Sequence, residues 1–243
     1  MTGGAMGMGA EHCRGIVREG GSVAIADVAD DAGVALAESL GASSKFVHLD
    51  VTRAEQWQVC VAHIEASLGA IDILVNNAGI LLSAAIDTET PEQFRRILEV
   101  NLVGPFLGMR TVTPLMRQRK KGSIVNILSA AGLVGNPNLV GYVASKWGLR
   151  GLTKAAALDL AGTGVRVNAV CPGPTETPMA AGVDAATRDA ICGAQAIPRM
   201  ASAAEISKLV LFLASDDASY CTGGDYPVDG GASLGAVSPR GSA

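Results

Sequence analysis

The sequence predicts an α/β fold, a doubly wound parallel sheet with helices on both faces. Three observations carry this expectation. Short apolar runs alternate with segments of helical periodicity along the whole chain. The runs are almost continuously apolar, as strands buried on both faces are. Thirty glycines lie scattered without period, which suits tight turns and close helix–sheet contacts. Right-handed crossovers between such strands make the sheet doubly wound.

The elements follow in order. Residues 2–9 are a glycine-rich turn that opens a helix reaching about Glu19. A short strand over 22–26 ends at Asp27, and a helix spans about 30–40. The strand over 46–49 ends at Asp50. Thr52, with Glu55 three residues on, predicts a capped helix to about Leu68. The strand over 71–75 runs into Asn76-Asn77-Ala78-Gly79. Thr90-Pro91-Glu92-Gln93 is a strong helix start, and its pattern continues to about Arg119 with a kink expected at Pro105 or Pro114. The basic run Arg117, Arg119, Lys120, Lys121 suits a helix C-terminus, with Gly122 expected to end it. Next come the apolar run 124–128 ending at Ser129, a helix over about 141–160 and a strand over 165–170. Ser202 and Glu205 predict a second capping box for a helix to about Ala214, and 225–228 is a last short strand.

Bulk properties bound the function. A chain of 243 residues suits a single domain, 1–243, with a loop region at about 174–200 and a small polar tail at 232–243. The net charge of −4 argues against nonspecific nucleic-acid binding. No apolar run reaches the roughly 18 residues of a membrane span, and no leader is legible, so a soluble cytoplasmic protein is expected. Five scattered cysteines without a CxxC fit free thiols in a reducing compartment. The three histidines show no ligand spacing, so no metal site is expected.

Two constellations carry chemistry. In Gly141-Tyr142-Val143-Ala144-Ser145-Lys146, Tyr142 and Lys146 stand four apart, on one face of a helix. A nearby ammonium favours the phenolate, so Tyr142 could exchange a proton near neutral pH. Ser129, at a strand's carboxyl end, could converge with Tyr142 on one substrate oxygen. A Tyr–Lys pair at this spacing also occurs by chance on helix surfaces. The second constellation is the turn Thr2-Gly3-Gly4-Ala5-Met6-Gly7-Met8-Gly9, where Gly3, Gly7, Met8 and Gly9 would bring backbone and a helix N-terminus up to a pyrophosphate. Asp27 lies eighteen residues after Gly9, where a carboxylate takes ribose hydroxyls and repels a 2′-phosphate; its alternative is a helix cap. No Arg or Lys lies in the turn or directly after Asp27, which favours NAD over NADP.

These stretches, with Asn101 and with Pro172-Gly173 and Thr177, occur in an order and spacing that resembles the classical short-chain dehydrogenase/reductases along essentially the whole chain. Residues 47–52, 151–154 and 215–217 look like the bacterial 3α(20β)-hydroxysteroid dehydrogenase branch. The resemblance implies a seven-stranded Rossmann-type sheet and an NAD-linked oxidoreductase interconverting a secondary alcohol and a ketone. It implies that Asp50 and Val51 hold adenine and that Asn77, Ala78 and Gly79 line the cofactor. Pro172, Gly173, Thr175 and Thr177 would sit by the nicotinamide, with Thr175 standing where an apolar residue is usual. By the same resemblance Lys146 binds ribose hydroxyls, and Asn101 holds a water beside it for proton relay; Asn101 could equally make a helix-kink hydrogen bond. A homotetramer is implied. Residues 130–141 and 174–200, rich in small and apolar residues, point to an apolar alcohol or ketone, such as a steroid or other cyclic compound.

One departure matters. Family members carry an apolar strand before the glycine turn, central in the order 3-2-1-4-5-6-7. This sequence starts at Met1-Thr2, so that strand is expected to be missing. A misassigned start, a truncation and a defective product would each account for it. The competing function is a non-catalytic NAD-binding or scaffold protein on the same fold.

Overall fold

The computed structural model describes residues 1–235. Helix α1 (Gly7–Arg18) leads to strand β1 (Val23–Asp27), α2 (Asp30–Leu40), β2 (Ser44–His48), α3 (Ala54–Leu68) and β3 (Ile73–Asn76). Then come α4 (Pro91–Leu98), a π-helical turn (Glu99–Val103), α5 (Gly104–Arg119) and β4 (Gly122–Ile127). Helix α6 (Val140–Asp159), β5 (Val165–Pro172), α7 (Ala185–Gly193), α8 (Ala203–Ala214) and β6 (Asp225–Val228) complete the described residues. All strand pairings are parallel, and the order is β2-β1 in one sheet and β3-β4-β5-β6 in the other. This is the expected α/β class, with α3 against α5 and α1 against α8. The part of the tail from 236 to 243 lies outside the described residues.

The two sheets are separated at the place predicted to lack a strand. Only the first residues of the chain cross the gap. The Met1 nitrogen donates to the Ala24 carbonyl (3.0 Å), and the Ala26 N–H donates to the Met1 carbonyl (2.8 Å). On the other side the Thr2 N–H donates to the Val75 carbonyl (3.1 Å). Below Met1 and Thr2 the gap is a cavity of about 350 Å3. The apolar core surrounds it: Leu49, Trp57, Val61, Leu74 and Val112 belong to one buried cluster, and Val23 and Ile25 to another.

Local signals explain most boundaries. Thr90 and Ser202 each close a reciprocal capping box, with Gln93 and Glu205 respectively. The box predicted at Thr52 does not form, because Asp50, two residues earlier, captures both the Thr52 N–H (3.0 Å) and its hydroxyl (2.8 Å). Helix α3 is instead preceded by Arg53, without a side-chain cap, and Glu55 pairs with Arg53. The long helix predicted over 90–119 is interrupted at neither proline. Pro105 sits in the first turn of α5, Pro114 is accommodated inside it, and the break is the π turn carrying Asn101. Gly122 does not end α5; Lys120 takes the left-handed position (φ 52°) and Gly122 opens β4.

Candidate active site

The glycine turn is held from both sheets. Thr2 is buried, and its hydroxyl accepts the N–H groups of Asn77 (3.0 Å) and Ala78 (3.1 Å). The Asn77 side-chain amide returns two bonds, to the carbonyls of Thr2 and Gly3. Gly3 has a positive φ of 58°, and a Cβ there would fall 2.8 Å from the Ala78 backbone, so only glycine fits. At the start of α1, Met6 offers no side-chain cap and the first turn has no acidic residue. The N–H groups of Gly7, Met8 and Gly9 are therefore left for an external anion. Asp27, only 9 % exposed, braces the same turn. One oxygen accepts the Ala5 N–H (3.0 Å), and the other accepts those of Val28 (2.8 Å) and Ala29 (3.1 Å).

Helix α6 presents Tyr142 and Lys146 on one face. The Lys146 ammonium lies 5.6 Å from the centre of the Tyr142 ring. Lys146 is buried, and its single hydrogen bond among the described residues goes to the Ile127 carbonyl (2.8 Å). An ammonium has three donors, so two remain for a ligand. Burial pushes Lys146 down to about 8. Ser129 follows β4 and accepts the Ala131 N–H (3.1 Å), which fixes its side chain beside Tyr142.

The expected easy ionisation of Tyr142 is not what the free protein shows. Burial raises the phenol above its ordinary value, and the Ser129 hydroxyl offsets this only in part. Lys146 does not reverse the direction, because its charge is itself disfavoured by burial.

Asn101 is wholly buried on the π turn. Its carbonyl oxygen accepts the Ile80 N–H (2.8 Å), while its amide donates to the Ile80 carbonyl (2.9 Å) and to the Ser145 hydroxyl (3.1 Å). Both amide hydrogens are thus spent, leaving one Oδ1 lone pair for a water. Asn101 still belongs to the cluster: a Cβ built on Gly79 would lie 3.4 Å from its Oδ1 and 3.7 Å from the Lys146 ammonium.

The remaining expected residues fall at two ends of this cluster. Pro172 ends β5, and Gly173 runs so close to Asp229 that a Cβ would lie 2.7 Å from it. Thr175 is buried, donates to the Gly173 carbonyl (2.9 Å) and bridges to Ala201. Thr177 and Pro178 come against Gly7, closing the distance between this loop and the glycine turn. At the far end, burial disfavours the Asp50 charge, but the Thr52 bonds outweigh it and hold the carboxyl below its ordinary value. Val51 is buried, with its carbonyl taken by the Trp57 indole N–H (2.9 Å).

Three contributors were not assigned roles from sequence. Ser145 links Asn101 to α6 and donates to the Tyr142 carbonyl (2.7 Å); its place three residues after Tyr142 was the available signal. The Thr2 hydroxyl ties the turn to 77–78. Glu89 accepts the Gly141 N–H (2.9 Å) at the start of α6, a long-range cap with no local sequence signal. Together, a glycine cradle that a Cβ would fill, uncapped N–H groups on α1 and two unused lysine donors fit a nicotinamide dinucleotide.

Comparison with known proteins agrees with this geometry. The family described as enoyl-(acyl carrier protein) reductase matches residues 3–233. A 3-alpha-(or 20-beta)-hydroxysteroid dehydrogenase of Mycobacterium tuberculosis is 44% identical over 95% of this chain and 87% of its own. A cyclopentanol dehydrogenase of Comamonas testosteroni is 43% identical over 95% of this chain and 94% of its own. A gluconate 5-dehydrogenase from Burkholderia cenocepacia, solved with NADP and tartrate, superposes with a TM-score of 0.92 at 32% identity, covering 96% of this chain and 93% of that one. The chain belongs to the short-chain dehydrogenase/reductase family, oxidoreductases that act on alcohol groups.

Proposed function

We propose that the protein is an NAD-dependent dehydrogenase that interconverts an apolar, cyclic secondary alcohol and its ketone. The observation that carries this reading is the convergence of Ser129, Tyr142 and Lys146 beside a glycine turn shaped for a dinucleotide. A bound nicotinamide supplies hydride acceptance and donation. The protein handles the proton. Tyr142 takes it from the alcohol oxygen in oxidation and returns it to the carbonyl oxygen in reduction. Ser129 donates to the same oxygen and stabilises the charge developing there. Lys146 directs its free donors to ribose hydroxyls and its charge to the Tyr142 phenolate. Asn101 and Ser145 lock the π turn against α6, which keeps Lys146 in place.

Asp27 supports NAD over NADP: its buried carboxylate faces the turn, and a 2′-phosphate near it meets like charge. The NADP in the Burkholderia structure makes this the finer point to test. The apolar, cyclic substrate is supported by the hydroxysteroid and cyclopentanol dehydrogenases among the relatives. The segment 174–200 agrees, with exposed Met179, Ile191 and Ile197. We extend the proposal to a cytoplasmic homotetramer in which exposed Phe106 on α5 and Trp147 on α6 are covered. Among the described residues no helix is long and apolar enough to cross a membrane.

The test is steady-state turnover of cyclic secondary alcohols with NAD and with NADP, alongside direct NAD binding. Turnover of cyclic alcohols preferring NAD is expected. Preference for NADP overturns the cofactor assignment, and preference for polyols overturns the substrate class. The broken sheet under the glycine turn favours one rival, a cofactor-binding protein without turnover. NAD binding with no turnover across the panel selects that rival.

A further inference from the structure

The gap between β1 and β3 has the form of a strand-binding slot. In a parallel ladder, alternate residues bond to opposite sides. The Leu49 N–H donates to Asp27 and the Ser123 N–H donates to Asp72, so Asp27 and Asp72 face the outer neighbours. Ala24 on β1 and Ile73 and Val75 on β3 therefore face each other across the gap. Met1 and Thr2 occupy one end of it as a two-residue strand bonded to both edges. They satisfy the carbonyls of Ala24 and Val75. The N–H groups of Ala24, Ile73 and Val75 and the carbonyl of Ile73 still aim into the cavity.

The walls define what can enter. Leu49, Trp57, Cys60, Val61 and Val112 line one face and Ile16 the other. Both faces are apolar, so an occupant needs apolar side chains on both sides of an extended backbone. The edges run parallel, so it must run parallel to both. From Ile71 to Val75 the edge spans about 13 Å at ~3.3 Å per residue, room for about four residues. A compact small molecule could fill the volume but could not answer donors on both edges at strand spacing. A second copy of the chain is a poor occupant, because the free-edge strands β2 and β6 both carry charge, with Lys45 on β2 and Asp225 on β6.

We propose that this slot binds an extended, apolar peptide segment supplied in trans, adding a strand between β1 and β3 in line with Met1 and Thr2. The consequence reaches the cofactor turn. Thr2 carries the hydroxyl that holds Asn77 and Ala78, and Gly3 and Gly4 follow it directly. A strand seated behind Met1 restrains this turn, so peptide binding and dinucleotide binding strengthen each other by the same factor. The peptide site itself stands on the sheet geometry; only this coupling rests on the proposed cofactor.

The experiment uses the 243-residue chain. The probe is acetyl-Lys-Val-Ile-Val-Val-amide with a fluorophore on the lysine, followed by anisotropy. The control replaces the central Ile with Pro, removing a ladder donor. Amide exchange at Ala24, Ile73 and Val75 is followed in parallel. Saturable binding, at least tenfold weaker for the proline peptide, with at least tenfold slower exchange at those three amides, is expected. No saturable binding overturns the proposal, as does equal binding of both peptides or protection confined to other residues. The same five residues fused ahead of Met1 form a third arm. Stabilisation by the fusion with no response to the free peptide assigns the slot to a covalently attached strand and overturns docking in trans. Peptide binding that leaves NAD affinity unchanged overturns the coupling while sparing the site.

Discussion

Replacing Asp27 with Ala separates the two jobs its carboxylate is assigned. In the structure it accepts three backbone N–H groups, from Ala5, Val28 and Ala29. The bonds to Val28 and Ala29 are part-buried, so water can replace them, whereas the Ala5 bond is buried. An orphaned buried donor costs about 1–3 kcal/mol, which sets the stability loss. The discrimination against a 2′-phosphate is electrostatic. A unit charge about 4 Å away at an effective dielectric of 20 is worth about 4 kcal/mol. With half of this screened by solvent at the open end of the turn, about 2 kcal/mol remains, roughly a 30-fold shift in relative kcat/KM. The assay is steady-state kinetics with NAD and NADP, paired with urea unfolding of the same variant. The expected result is a destabilised protein whose NAD:NADP ratio falls about 30-fold. Lost stability with an unchanged ratio refutes the ribose assignment and leaves Asp27 as a brace of the turn. Asp27→Asn refines the comparison: it removes the charge and keeps one carbonyl oxygen, so the ratio shifts with a smaller stability loss.

Two further predictions concern the frame of the site. Glu89→Ala removes the carboxylate that accepts the Gly141 N–H at the start of α6. A stability loss of about 1 kcal/mol is expected, a Tm shift of about 2–4 °C, mostly restored by Glu89→Gln, whose amide oxygen still accepts. His12 is fully buried, with no partner for either ring nitrogen among the described residues, and burial pushes it down to about 4. Between its ordinary value near 6.5 and about 4 the unfolded chain binds the proton and the folded chain does not. Stability therefore falls as pH drops through that window, by up to about 3 kcal/mol, and levels off below it. His12→Phe flattens the profile in urea titrations; an unchanged slope contradicts the assignment.

Much of the architecture is legible in the residue pattern, for identifiable reasons. The capping boxes at Thr90 and Ser202 formed because each cap and its partner lie three residues apart with no competing acceptor. The same pattern failed at Thr52 because Asp50 sits closer to its hydroxyl than the helix N–H does. The place of the broken sheet follows from Met1 and Thr2 meeting the glycine turn at once. The π turn at Asn101 was invisible to proline-based reasoning. It is set by a tertiary bond pair to Ile80, twenty-one residues away. The direction of the Tyr142 shift was misjudged because spacing reports the neighbour's charge, while burial of both groups is a property of the folded site.

The account's central claim is that Tyr142 moves the substrate proton. Tyr142→Phe keeps the ring packed near Lys146 and removes only the hydroxyl, which donates no backbone or side-chain bond needed by α6. The direct measurement is turnover of a cyclic secondary alcohol by this variant, with NAD binding and Tm measured on the same sample. The account predicts a loss of turnover of about 10²–10⁴-fold or more, with NAD affinity and Tm within error of the parent. Near-parent turnover with intact binding contradicts it.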